Sequence, residues 1–279
     1  MESLPDELKG VIKNYIIFKP KTKDELQEAV NLWCENREKA LTKNDHISIW
    51  DTSLITDMSR LFAHKKDFID DISNWDVSSV INMNHVFYFC ENFNQPLNNW
   101  NVSSVTDMSH MFYCALLFNQ PLDLWVVSNV TDMNNMFLEA NEFNQNLNSW
   151  DVSKVTNMSY MFYGASAFNY PLDSWNVSAV TEMVCMFEYA SSFNQPIASW
   201  DVSSVTEMYS MFNEARSFNQ PIDSWDVSKV TDMCEMFFNA KSFNQSLNSW
   251  DLSSVRLMDF IFYGVSSFDR NNALWYNFN

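Results

Sequence analysis

The chain reads as an α/β repeat solenoid, with one short strand and one short helix in each 25-residue coil. Three observations carry that reading. Trp50, Trp75, Trp100, Trp125, Trp150, Trp175, Trp200, Trp225, Trp250 and Trp275 recur every 25 residues. A fixed period of this size is the mark of a stacked repeat. Counting columns from each Trp as zero, Met at 8, Met at 11, Phe at 12 and Ala at 15 follow the i, i+3, i+4, i+7 rule of an amphipathic helix. Valines at columns 2 and 5 give the stretch after each Trp a β-branched, extended character.

Residues 1–49 precede the repeats and are expected to form an N-terminal helical cap. Ser3-Leu4-Pro5-Asp6-Glu7 resembles a helix start, and Leu8, Val11, Ile12, Tyr15 and Ile16 follow at helical spacing. Phe18 to Lys21 should be extended, because Pro20 disfavours helix in the residue before it. Thr22 and Glu25 form a capping-box pattern. Leu26, Ala29, Val30, Trp33 and Arg37 then share one face of a second helix running to about Lys43. Such a helix would cover the apolar cross-section of the first coil.

Residues 50–279 divide into nine repeats, the last one divergent. Column 3 is Ser in every unit, from Ser53 to Ser253, which suggests a backbone hydrogen bond at a bend. Thr at column 6 is placed to cap the helix, and an acid or Asn at column 7 to meet its dipole. Phe at column 18 opens the Asn-Gln-Pro-Leu run, as in Phe93 to Leu97, whose Asn and Pro turn the chain back. Asn over Asn in successive coils suggests an amide ladder. Glycine makes none of these bends, since the chain has only Gly10, Gly164 and Gly264.

The unit Trp150 to Ser174, WDVSKVTNMSYMFYGASAFNYPLDS, resembles the bacterial-surface-protein (BspA-type) branch of leucine-rich repeats. Such units occur in bacterial surface proteins and in giant DNA viruses. The stretch FKPKTKDELQEAVNLWCEN resembles the leader of the viral members. The resemblance covers about four fifths of the chain. It implies a leucine-rich-repeat-like solenoid and a role in protein–protein interaction, and it supplies no catalytic residue. The opening Leu4 to Ile16 also resembles the start of an F-box, the adaptor-binding module of a ubiquitin ligase, but Lys19-Pro20-Lys21-Thr22 interrupts the pattern.

Charge narrows the partners. The net charge is −18, of which residues 1–49 carry −1 and the repeats −17. Such a body repels phosphate backbones and anionic membrane faces. Direct nucleic-acid binding and membrane docking are therefore not expected. No secretory signal is legible in the first residues, and no run is long and apolar enough to span a bilayer. Cys34, Cys90, Cys114, Cys185 and Cys234 are odd in number and lack CxxC spacing. They read as reduced thiols of a protein inside a host cell, or in a virion.

No catalytic constellation, cofactor motif or metal site stands out. Asp51, Asp76, Asp151, Asp201, Asp226 and Asp251 at column 1, and Asp123, Asp173 and Asp223 at column 23, form files that suit calcium. The alternative is that each carboxylate caps its own turn. His85 and His110 share column 10 but lack a third ligand. The candidate partner surface is the file Tyr88, Tyr113, Leu138, Tyr163, Phe238 and Tyr263 at column 13, with Phe89 and Tyr189 beside it. These rings either bind a partner or pack between neighbouring coils. Phe260, Leu274, Trp275, Tyr276 and Phe278 in the divergent last coil are candidates for an end-to-end homodimer. The expectation is a non-enzymatic interaction scaffold. A ubiquitin-ligase substrate receptor and a calcium-dependent adhesive surface protein are the alternatives.

Overall fold

The computed structural model describes residues 17–277, and the expected first helix and Phe278 lie outside them. Helix α1 (Lys23–Glu35) opens with Thr22, whose side chain accepts the Glu25 N–H, and buries Leu26, Ala29, Val30 and Trp33. It does not run on to Lys43. Asn36 leaves helical geometry, and its side chain caps a separate helix α2 (Arg37–Asn44). Trp33 and Phe18 meet Trp50 edge-on, at centroid distances of 6.1 and 5.1 Å. Lys19 pairs with Asp51 at 2.7 Å and Lys23 with Asp57 at 3.1 Å. Gln27 donates to the Leu61 carbonyl. The segment thus covers the first coil with rings, an apolar helix face and side-chain donors.

The nine 25-residue coils stack in register, but they are not α/β coils. Among the described residues no coil contains an α-helix, and no strand exceeds a single parallel pairing. The expected helix over columns 7–15 is replaced by a chain of tight turns. Column 11 donates to column 8, column 13 to column 10 and column 15 to column 12, as in Met111 to Met108, Tyr113 to His110 and Ala115 to Phe112. The intervening N–H groups leave the coil. Met108, His110, Phe112 and Cys114 donate to Asp132, Asn134, Met136 and Leu138 of the next coil at 2.7–3.1 Å.

The physical reason is the backbone at columns 10 and 14. Both adopt positive φ in every coil, for example His85 (57°) and Phe89 (56°), His110 (58°) and Cys114 (54°), Tyr160 (59°) and Gly164 (68°). A left-handed residue every fourth position stops a right-handed helix and swings alternate N–H groups outward. Met, Met, Phe and Ala still point inward, because successive turns repeat with nearly the spacing of a helix face. The apolar pattern therefore fits both structures. Backbone satisfaction decides between them, since the coil-to-coil ladder gives the turn region's donors an acceptor.

The strand also falls elsewhere than expected. The stretch between the column-2 and column-5 valines closes a turn, as in Val105 N–H to the Val102 carbonyl. The parallel pairing sits at column 7, from Asp57 with Asn82 to Asp232 with Leu257. Thr at column 6 caps no helix. Its N–H joins the ladder, as Thr131 does with the Thr106 carbonyl at 2.9 Å.

Each core column forms a file through the stack. Trp125 lies on Trp150 at 6.3 Å and 4° between planes, and Phe162 on Phe187 at 5.6 Å and 5°. Phe162 also stacks on Phe168 of its own coil at 4.2 Å. From Trp100 on, each indole N–H donates to the column-22 carbonyl 28 residues earlier, as Trp150 does to Leu122 at 3.0 Å. Tryptophan thus supplies a stacking ring and a donor that fixes register, which phenylalanine lacks. The asparagine ladder forms as well. Asn194 Oδ1 accepts the Asn219 N–H and the Gln220 Nε2, and Asn219 repeats this for Asn244 and Gln245.

Candidate functional site

The ladder places column 10 of one coil beside column 9 of the next, and column 14 beside column 13. Glu139 donates its N–H to Tyr163, Gly164 to Glu188, Tyr189 to Asn213 and Glu214 to Phe238. These four columns, outside the core, form one continuous face along the stack. Their residues differ from coil to coil while the core columns repeat.

The face changes character along its length. Over the first three coils it carries Arg60, His64, His85 and His110 among aromatic rings. His85 stacks on His110 at 4.2 Å and 9°. Tyr88 lies 4.7 Å from Tyr113, with Phe89 5.4 Å from Tyr113. Burial, reinforced by His110 and Arg60, lowers the pKa of His85 to about 4. Burial also lowers that of His110, whose Nδ1 has no partner. Two stacked imidazoles of this kind make no metal centre, and no cluster of three or more ligating side chains occurs among the described residues.

From the fourth coil on, the face is tyrosine and carboxylate. Tyr163 lies 5.5 Å from Tyr189, and Tyr189 and Tyr209 are 46% and 36% exposed. Cys185 is buried, with its thiol hydrogen-bonded to Glu188 and Tyr160, and burial pushes its pKa far above the ordinary thiol range. Burial also raises the pKa values of Glu139 and Glu188. Glu235 accepts Asn213 Nδ2 at 3.1 Å, and Asn239 donates to Glu214.

The expected aromatic file is therefore not one stripe. Tyr88 and Tyr113 are half-buried and touch each other. Leu138 is 8% exposed and interrupts the line. Tyr163 joins Tyr189, and Phe238 stacks with Tyr263 at 5.0 Å. Sequence reading passed over Tyr160, Tyr209, Glu139, Glu188, Glu214 and Glu235. The signal for them was present: columns 9, 10, 13 and 14 contain no Lys, Arg or His after His110.

The column-1 acids cap their own turns. Asp76 Oδ1 accepts the N–H and hydroxyl of Ser78, and Asp51 does the same for Ser53. Asp151, Asp201, Asp226 and Asp251 each accept the N–H of the column-3 serine. The serine hydroxyl turns to the column-1 side chain, and not to backbone, at Asp51, Asp76, Asn101 and Asn176. At the far end, Phe260 and Leu274 are 58% and 75% exposed. Trp275 and Tyr276 are half-buried, and the Trp275 ring stacks on Trp250 at 6.4 Å.

The stacked coils and the variable face define a repeat protein. Residues 33–147, 118–216 and 195–278 match the family described as "Mycoplasma protein of unknown function, DUF285", and the chain belongs to it. The match supports BspA-like repeats of about 25 residues, and it carries no viral attribution. No curated protein matches the chain, and no solved structure does. No helix among the described residues is long and apolar enough to cross a membrane.

Proposed function

We propose that the chain is a non-enzymatic protein–protein interaction scaffold that works through the face of columns 9, 10, 13 and 14. One observation carries this reading. Identical core columns hold a face whose chemistry changes from histidine-rich to acidic and tyrosine-rich, with Tyr189 and Tyr209 exposed on it. Core selection explains the first pattern and leaves the second to recognition, where tyrosine is a favoured anchor. The raised thiol pKa values of Cys90, Cys114 and Cys185 support inert packing groups rather than nucleophiles. Unpaired thiols favour a reducing compartment, inside a cell or within a viral particle.

Affinity capture from cells of the protein's own setting tests the proposal, run beside a Tyr189→Ser, Tyr209→Ser variant with an unchanged melting curve. A protein retained by the native chain and lost from the variant supports the face. An identical set of captured proteins refutes it. The proposal extends to self-association through the ninth coil, where Phe260 and Leu274 stand exposed.

A further inference from the structure

We infer that coils five to eight bind an extended, lysine- or arginine-bearing polypeptide segment of a partner across the tyrosine–carboxylate part of the face. The inference rests on the scaffold reading and names the chemistry of its partner.

Charge is the first argument. Glu188, Glu214 and Glu235 lie close enough to influence one another, and Tyr163 and Tyr189 lie within the field of Glu188. The cation beside them, Arg216, pairs with Glu214 at 2.9 Å. Glu188 is half-buried with a raised pKa, so it carries a desolvation penalty that a cation would relieve. Its side-chain partner is the Cys185 thiol, which supplies no charge.

The second argument is an unsatisfied acceptor. Asn213 is 6% exposed. Its Nδ2 donates to Glu235 and to Ser210 Oγ, while its Oδ1 has no donor at all. A buried amide oxygen without a donor costs about 1–3 kcal/mol. Asn213 sits under Tyr189, whose N–H it accepts through its backbone carbonyl. An incoming guanidinium or ammonium meets the Glu235 carboxylate that holds Asn213, and reaches the amide oxygen once that side chain turns outward.

The third argument is the set of rings. Exposed tyrosine faces beside carboxylates suit the flat guanidinium and the ammonium by cation–π attraction. A divalent ion fits less well. The carboxylates are spread along the stack, and the described residues contain no group of three in metal-binding geometry. Four coils at roughly 4.8 Å each give this part of the face a length of about 20 Å. About six residues of extended chain cover that length. Alternate side chains of such a segment fall about 6.6 Å apart, so three of them reach across the four coils.

A fluorescein-labelled arginine hexapeptide, and its lysine counterpart, test this by anisotropy at two salt concentrations. Saturable binding to the native chain is expected. Glu188→Gln with Glu235→Gln should weaken it at least tenfold. Glu142→Gln with Glu207→Gln removes the same charge away from the face and should change it less than twofold. Tyr189→Ala should weaken the arginine peptide severalfold. Melting curves confirm that each variant is folded. Equal loss in both charge pairs means bulk attraction only and overturns the proposal, as does an absence of saturable binding. If a captured partner is unaffected by the Glu188/Glu235 pair but lost with Tyr189 and Tyr209, the scaffold reading stands and this inference falls.

Discussion

Cys114 offers a direct test of the turn-built coil against the helix that its sequence suggests. It stands at column 14 with φ 54°, half-buried, in the middle of the stack. The informative comparison is Cys114→Ala against Cys114→Gly, because both remove the thiol. In a helix, glycine is the worse of the two by about 1 kcal/mol. At positive φ the order reverses. An L-residue in the left-handed region costs about 1–2 kcal/mol. Glycine's extra chain entropy returns about 0.5–1 kcal/mol of that difference. Glycine should therefore be more stable than alanine by about 0.5–1 kcal/mol. For 279 residues the unfolding entropy is about 0.6 kcal/mol/K, so the gap in Tm is about 1–2 °C. Chemical denaturation of the two variants side by side measures it. Alanine more stable than glycine would refute the turn-built coil at this position.

Three other outcomes follow from the same geometry. Asn194→Ala strips the acceptor from the Asn219 N–H and Gln220 Nε2 and should cost about 1–3 kcal/mol, while Asn194→Asp, which keeps the acceptor, should cost far less in a denaturant titration. Phe162→Ala removes a ring stacked on Phe168, Phe187 and Phe137, and should cost about 3–5 kcal/mol by the same measurement. His85 should titrate by NMR near pH 4, because burial, His110 and Arg60 outweigh Asp107. Its folded value lies below the ordinary 6.5, so the folded chain resists the proton. The associated stability is present above pH 6.5 and declines as pH falls toward 4, and a midpoint near 6.5 contradicts the stacked geometry.

The repeat and its inward columns were legible because burial is periodic. Trp at column 0, Val at columns 2 and 5, Met at column 8, and Phe at columns 12 and 18 are buried in coil after coil. The asparagine ladder and the carboxylate-capped serine were legible too, since short polar side chains at fixed columns have few other roles. The secondary structure was not, because the apolar code for two consecutive turns coincides with that for two helical turns. Only residues tolerant of positive φ separate them. Gly164, Gly264, Asn135 and Asn239 stand at columns 10 and 14, but most other coils put His, Phe, Cys, Glu or Tyr there. Those residues bear the left-handed strain because the inter-coil hydrogen bonds over-determine the backbone. The acidic part of the face was hidden for a related reason. Columns 10 and 14 would share one side of a helix too, but the sequence does not show that the ladder seats them against columns 9 and 13 of the next coil.

Most of the ladder runs one way, with column 6 donating the opposite way, as Thr131 does to Thr106. Columns 8, 10, 12 and 14 donate toward the C-terminal end, and the carbonyls of columns 7, 9, 11 and 13 point back. At the first coil those acceptors face α1, where Gln27 donates to Leu61 and Lys23 reaches the side chains of Asp57 and Ser59. Head-to-tail joining of two copies would have to displace that segment. At the ninth coil the matching N–H groups of Met258, Phe260 and Gly264 have no acceptor among the described residues. The exposed apolar side chains of this coil are Leu257, Phe260, Tyr263 and Leu274, and an end-to-end dimer would bury them. Light scattering across a concentration series should show a dimer that Phe260→Ser with Leu274→Ser dissolves. A monomer at every concentration removes the self-association proposal, and a dimer untouched by both substitutions moves its contact to another surface.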